Sequence, residues 1–270
     1  MQRLRVWGAG LTGRAVLRLP GETIRPVFNV EGKLERRKIC ALDAEEAPLT
    51  RFLGELRPGD VVYDVGANLG LYAIPSAMKL ASHGRAATSR PTGRVIAFEP
   101  VPAWAARLRQ NAQGNRLTNL DVFDVALSDT NGRADFLLKP IAGSGMGSLM
   151  AGYDVHIPAG NRHHIEVEVS RAEQVIARNS LPAPTVLKID VEGAEYKVLD
   201  GFGEFLAQPA CRFVLIEVHR GLSDEDGIDK LLTARGFEVV RGEARGAEYH
   251  LFASRPERHD ISTSPASAPR

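Results

Sequence analysis

Cysteine is scarce in these 270 residues, with only Cys40 and Cys211 present. Two cysteines cannot make a disulfide framework, and neither stands in a metal-ligand spacing, so no metal site is read from them. A reducing, cytoplasmic setting is the expectation. No stretch approaches the roughly 18 to 20 uninterrupted apolar residues of a spanning helix, so no membrane partner is expected. The start, Met1 to Gly8, is basic but lacks the continuous apolar segment of a secretory signal. An excess of one charge is missing too. The 34 Lys and Arg nearly balance 33 Asp and Glu, for a formal net charge of +1. That balance exerts no long-range pull on nucleic acid, which is therefore not an expected partner. What is present is a 44% hydrophobic content, ordinary for a globular chain and ample for one buried core.

Three zones are readable. Residues 1–48 mix Gly, Pro, Arg and short apolar runs, and are expected to form an accessory segment. From Leu49 to about Arg255, short apolar runs alternate with helical patterns, as in a mostly parallel α/β sheet. Residues 256–270 are rich in Ser, Pro and Ala and read as a disordered tail. In the middle zone, Val61–Val65, Arg94–Phe98, Leu120–Val125, Thr185–Ile189 and Arg212–Glu217 have the character of buried strands. Phe237–Arg241 and Glu248–Ala253 close the set as antiparallel strands, giving seven. Helices are predicted over Leu69–Leu80, Pro102–Gln113, Glu192–Phe205 and Asp224–Arg235, the last with Ser223 as N-cap and Gly236 as stop. Pro75 should kink or break the first of them. Ala81–Thr92 reads as an unusually long loop. Arg133–Leu138 and Ile165–Ser170 look like an inserted hairpin, at the sheet edge or over the site.

The strongest motif is Asp64-Val-Gly66-Ala-Asn68-Leu-Gly70, a glycine turn between a strand and a helix. Glycine permits a sharp turn and close approach of a ligand. The helix start offers free N–H groups to an electron-rich ligand group, and ligands of open parallel sheets bind at such strand ends. Phe98-Glu99-Pro100 ends the next strand, and an acid there can accept both hydroxyls of a ribose. Leu187-Lys-Ile-Asp190-Val-Glu192-Gly193-Ala-Glu195 ends another. Alternation puts Lys188 and Asp190 on one side, where Lys188 serves either a structural ion pair or the site itself. One strand further, Glu217 and His219 share a face by period two, and His219 admits both a structural and a functional reading. Two other glycine patterns are weak. Gly8-Ala-Gly10-Leu-Thr-Gly13 has too few residues around it for a nucleotide-binding fold. Gly143-Ser-Gly-Met-Gly-Ser148 lacks the Lys-Ser/Thr of a phosphate loop and suits a lid over the acceptor.

Taken in order, Asp-Val-Gly-Ala-Asn-Leu-Gly, Ala-Phe-Glu-Pro, Val-Ala-Leu-Ser-Asp and Leu-Lys-Ile-Asp-Val-Glu-Gly-Ala-Glu resemble the FkbM-type methyltransferases over about Leu49 to Phe252. The resemblance implies a Rossmann-like class I methyltransferase fold, S-adenosylmethionine as cofactor, and O-methylation of a sugar, glycan or natural-product hydroxyl. It also implies that Asp64, Gly66, Asn68 and Gly70 line the methionine end of the cofactor and that Glu99 holds its ribose. Asp124 and Val125 would meet the adenine, and Asp190 would approach the methionine part and the reacting methyl group. The long loop and Pro75 depart from the family's first helix region.

An acceptor hydroxyl needs a base, and Asp190, Glu192, Glu217 and His219 are the candidates, with His219 or Glu217 preferred. A divalent ion on Asp190, Glu217 and His219 is chemically feasible, although the spacing does not call for it. The alternatives are a nicotinamide-dependent oxidoreductase and a non-catalytic nucleotide-binding module. The first would need Gly-x-Gly-x-x-Gly after the first core strand, and the Gly66-x-x-x-Gly70 spacing argues against it.

Overall fold

The computed structural model describes residues 5–7, 13–30, 45–83, 93–138, 147–149 and 163–256. Its centre is a seven-stranded sheet. In chain order its members are β4 (Val61–Val65), β5 (Arg94–Phe98), β6 (Leu120–Phe123), β11 (Val186–Ile189), β12 (Phe213–His219), β13 (Glu238–Arg241) and β14 (Glu248–Ser254). They lie side by side as β13-β14-β12-β11-β4-β5-β6. Adjacent strands from β6 through β12 pair in parallel, and β14 alone runs against its neighbours β12 and β13. The chain steps from β4 outward through β5 to β6, then returns to β11 on the other side of β4. The switch point therefore falls between β4 and β11, where open α/β sheets bind ligands. This is the seven-stranded, class I arrangement, and its reversed strand sets it apart from an all-parallel dinucleotide fold.

The sequence explains the central strands. Val62, Tyr63, Asp64 and Val65 of β4 are all buried, as are Val95 through Phe98 of β5 and every residue of β11. Strands covered on both faces need such unbroken apolar runs. Around the sheet stand α1 (Glu46–Gly54), α2 (Ala73–His83), α3 (Pro102–Gly114), α4 (Ala172–Arg178), α5 (Glu195–Gly201) and α6 (Glu225–Ala234). Two apolar layers result, one around Phe52, Ile74 and Leu80 and the other around Tyr63, Phe98, Phe202 and Val214.

Three local expectations are corrected. The helix expected from Leu69 begins at Ala73, so Pro75 sits in its first turn, where no intrahelical N–H is lost and no kink follows. The helix expected from Glu192 begins at Glu195, because Glu192 (φ 54°) and Gly193 (φ 104°) are left-handed and cannot belong to it. The N-cap of α6 is Asp224 rather than Ser223, since the Asp224 carboxylate accepts the Gly227 N–H at 2.9 Å. Gly236 (φ 84°) does end that segment.

The inserted strands do not join the main sheet. β7 (Ala126–Leu127), β8 (Gly132–Leu138), β9 (Gly147–Ser148) and β10 (His163–Ser170) form a second sheet, ordered β7-β10-β8-β9. Of the two positions open to the hairpin, this is the one over the site. The N-terminal segment contributes β1 (Arg5–Trp7), β2 (Arg14–Arg18) and β3 (Val27–Asn29), an antiparallel sheet docked on α3. The Asn111 and Asn115 side chains accept the Asn29 and Val27 N–H groups at 2.9 and 2.8 Å, and Leu17 and Phe28 share the core with Phe52. The expected tail beyond residue 256, residues 84–92 of the long loop and most of both weak glycine patterns lie outside the described residues. Among the described residues no helix is long and apolar enough to cross a membrane.

Candidate active site

The carboxyl ends of β4, β5 and β11 open on a cavity that is continuous with solvent. Its floor is Val65, Gly66 and Asn68 after β4, Glu99 and Pro100 after β5, and Asp190 to Glu192 after β11. The facing wall is largely apolar, with Trp104 of α3, Val125 to Leu127, and Phe136 and Leu149 from the second sheet.

Local backbone conformation builds that floor. Gly66 (φ 74°) follows β4, and a Cβ there would collide with the Asp190 carbonyl oxygen of the neighbouring strand end. Asn68 is also left-handed (φ 51°), a conformation asparagine tolerates better than most residues. The turn aims the Asn68 N–H at Glu99 Oε2, 2.8 Å away, while the Val101 N–H reaches Oε1 at 2.9 Å. Glu99 is 3% exposed, and burial pushes its carboxyl up to about 7 despite these two donors. A carboxylate has about four lone-pair sites, so two remain for hydroxyls in the cavity.

Beneath the floor, the Lys188 ammonium lies 3.4 Å from Asp64 Oδ1 and 3.4 Å from Asp190 Oδ2. Asp64 is fully buried. Burial alone would drive the lysine neutral, but Asp64, Asp190, Glu217 and Glu45 together hold it charged. Lys188 thus fastens the ends of β4 and β11, as a structural ion pair whose far partner, Asp190, reaches the cavity.

A second polar centre stands behind Asp190 and Glu192. The buried Glu195 carboxylate accepts the His219 Nδ1–H at 2.7 Å and the Gly193 N–H at 2.9 Å. The other imidazole nitrogen, Nε2, is 3.6 Å from Glu192 Oε2 and 4.0 Å from Glu248 Oε1. Burial pulls the imidazole down, but Glu195, Asp190 and Glu192 outweigh it and raise it to about 10. Glu217 is pushed upward, by burial first and then by Asp190, Glu45 and Glu248. Its Oε1 lies 3.4 Å from the Arg245 guanidinium and its Oε2 lies 3.7 Å from His250 Nε2. Arg245 also pairs with Glu45 at 3.1 Å, and Tyr72 donates to Glu45 at 2.8 Å. Burial opposes ionisation of Glu45, yet His250, Tyr72 and Arg245 hold it down to about 2. Two groups bring three ligand atoms within 4.8 Å of one another: Glu45, Glu217 and His250, and Glu217, His219 and Glu248.

Of the residues singled out in the sequence, Gly66, Asn68, Glu99, Val125, Asp190 and Glu192 come together on the cavity surface. Asp64 lies under it. Gly70 turns toward Leu108 and Ile74 of the helix layer, where a Cβ would collide. Asp124 is exposed and pairs with Arg109. Glu217 and His219 share a centre set behind the wall, not on it. Sequence reasoning missed Trp104, Phe136 and Leu149, which carry no polar signal, and it missed Glu45, Arg245 and His250. Glu195 was visible in the motif, but its hold on His219 was not.

The reversed strand, the glycine turn at the switch point and the acid closing β5 are the marks of a class I methyltransferase. Residues 64–239 match the methyltransferase FkbM domain. The chain is 34% identical to the 31-O-demethyl-FK506 methyltransferase FkbM of Streptomyces tacrolimicus, over 88% of this chain and 96% of that protein. It is 28% identical to the hexuronic acid methyltransferase AglP of Haloferax volcanii, over 86% of each. It is also 30% identical to the 2-O-methyltransferase NoeI of Sinorhizobium fredii, over 71% of this chain and 78% of that one. The chain belongs to the FkbM methyltransferase family, and it is a methyltransferase.

Proposed function

We propose that the protein transfers the methyl group of S-adenosylmethionine to a hydroxyl oxygen of a sugar, glycan or natural product. The observation that carries the cofactor assignment is Glu99, a buried carboxylate fixed by two backbone donors with lone pairs left to face the cavity. The cavity's chemistry fits the cofactor. Glu99 takes the ribose hydroxyls, Trp104, Val125, Leu127 and Phe136 cover the flat adenine, and Gly66, Asn68 and Asp190 receive the methionine part. When bound, the cofactor supplies an electrophilic methyl group on a sulfonium. The protein's share is to hold the acceptor oxygen in line with that methyl group, where good positioning is worth roughly 7 to 11 kcal/mol.

Proton removal falls to a carboxylate at the cavity surface. Glu192 lines the cavity in a left-handed conformation, and a non-glycine residue held there costs of order 1 to 3 kcal/mol, strain that clusters at functional sites. Glu192 is therefore assigned as the base in place of His219 or Glu217, which stand behind it, while Asp190 is committed to Lys188 and the methionine part. The acceptor class draws on three relatives named for FK506, hexuronic acid and 2-O-methylation.

Calorimetric titration with S-adenosylmethionine, S-adenosylhomocysteine and NAD tests the cofactor. Binding of the first two and not the third is expected, and the reverse would overturn the reading. Incubation with labelled cofactor and pools of polyols, glycans and macrolides then identifies the acceptor. For the base, Glu192→Gln should lower turnover by about a hundredfold or more with S-adenosylhomocysteine affinity retained. Full turnover in that variant removes the assignment.

A further inference from the structure

We infer that Asn111 is a positioning residue for the glycine turn after β4, and that through it the N-terminal sheet is coupled to the cofactor cavity. Asparagine is a weak helix former, so one in the middle of α3 points to work outside the helix. Its carboxamide is fully buried and is used at both ends. Nδ2 donates to the Leu69 carbonyl at 3.0 Å, inside the glycine turn, and Oδ1 accepts the Asn29 N–H of β3 at 2.9 Å. Positions 29 and 69 thus meet on one side chain. A carboxamide has a donor end and an acceptor end, and here a carbonyl faces the first and an N–H the second. Turning the group over would break both bonds, so its orientation is fixed.

Helical spacing explains how α3 reaches all three places. Trp104, Leu108 and Asn111 stand at i, i+4 and i+7, one stripe of the helix, and Asn115 continues it at the C-cap. Trp104 lines the cavity. Leu108 packs against Gly70 of the turn, where a Cβ would stand 2.4 Å from Leu108 Cδ1. The Asn115 side chain accepts the Val27 N–H of β3 at 2.8 Å. The stripe therefore runs from the cavity wall, along the back of the turn, to the N-terminal sheet. Asn68, one residue before Leu69, is left-handed, lines the cavity and gives its N–H to Glu99. A non-glycine residue keeps that conformation only where its surroundings hold it. Glu99 holds it from the cavity side, and Asn111 holds the next carbonyl from the opposite side. Freeing the Leu69 carbonyl would let the turn relax and carry Asn68 away from Glu99.

The coupling rests on the cofactor reading, and the test keeps the two apart. The full chain is titrated calorimetrically with S-adenosylhomocysteine as the parent, as Asn111→Leu and as Asn119→Leu. Asn119 is the control, because its buried carboxamide donates to the Ala77 and Gly93 carbonyls, at 3.0 and 3.2 Å, and not to the turn. Both variants should melt at lower temperature. Only Asn111→Leu should weaken binding, by about tenfold, the effect of roughly one buried hydrogen bond. Parent-like affinity in a folded Asn111→Leu, or an equal loss in both variants, overturns the positioning role. Hydrogen exchange on the parent needs no variant. S-adenosylhomocysteine should slow the Val27 and Asn29 amides about fivefold or more beyond any slowing in β13, at the far edge of the main sheet. Slowing no greater than that of β13 overturns the coupling, even should Asn111→Leu fail to fold. A parent that binds no S-adenosylhomocysteine is a different result, and removes the cofactor reading itself.

Discussion

Glu99 Oε2 accepts the backbone N–H of Asn68 at 2.8 Å, joining the end of β5 to the left-handed residue of the glycine turn after β4. The carboxylate therefore has two tasks, shaping the turn and facing the cavity. Glu99→Gln keeps the side chain's size but removes its charge, and hydrogen bonds to a charged group are worth about 1.5 to 3 kcal/mol. Affinity for S-adenosylhomocysteine should fall roughly 10- to 100-fold by calorimetry. Unchanged affinity would remove Glu99 from the ribose site.

The same residue sets a pH dependence. Burial raises its carboxyl from 4.5 to about 7, so the folded chain holds that proton more tightly than the unfolded one. The sign follows: Glu99 favours folding most below 4.5, and that contribution is lost as pH rises toward about 7. Cofactor hydroxyls donate to the ionised form, so binding should strengthen as pH rises through 7. Affinity should be about tenfold weaker at pH 6 than at pH 8. Titrations across that range check this, and in Glu99→Gln the slope should disappear.

Much of this was legible because buried parallel strands write themselves as apolar runs. Val61–Val65 and Arg94–Phe98 were bounded correctly, and the acids that follow β5 and β11, Glu99 and Asp190, do line one cavity. Helix starts were less legible because they hang on single dihedrals. Glu192 and Gly193 look like a first helical turn, yet their positive φ delays α5 to Glu195. Asp124 and Val125 are adjacent in the link between β6 and β7, yet one turns outward to Arg109 and the other lines the cavity. Least legible was the Arg245–Glu45 pair, whose members are 200 positions apart. No local pattern announces a meeting of that kind; only the closing of the sheet by β14 produces it.

Lys188 and Asp64 should behave as a unit in stability. Lys188→Met leaves a fully buried carboxylate without its ammonium, a change that typically costs about 3 to 5 kcal/mol. Urea denaturation should register that loss. The double variant Lys188→Met/Asp64→Asn should recover a large part of it, since the orphaned charge is gone. If the double variant is as unstable as the single one, the pair is not what joins β4 to β11.

Gly66 invites misuse as a probe of binding. Its φ of 74° and the Asp190 carbonyl oxygen against its α-carbon mean that any side chain there disturbs the β4–β11 junction before it meets a ligand. Gly66→Ala should therefore cost at least about 2 kcal/mol in urea denaturation, from backbone strain and overpacking together. Cofactor affinity should fall with it, because Asp190 must move. Gly132 makes the control: it is also left-handed, at φ 140°, but a Cβ there meets nothing within 4 Å. Gly132→Ala should lose only the dihedral part and keep cofactor affinity. Equal losses in the two variants would mean that the contact with Asp190 contributes nothing and that dihedral strain alone makes glycine necessary at position 66.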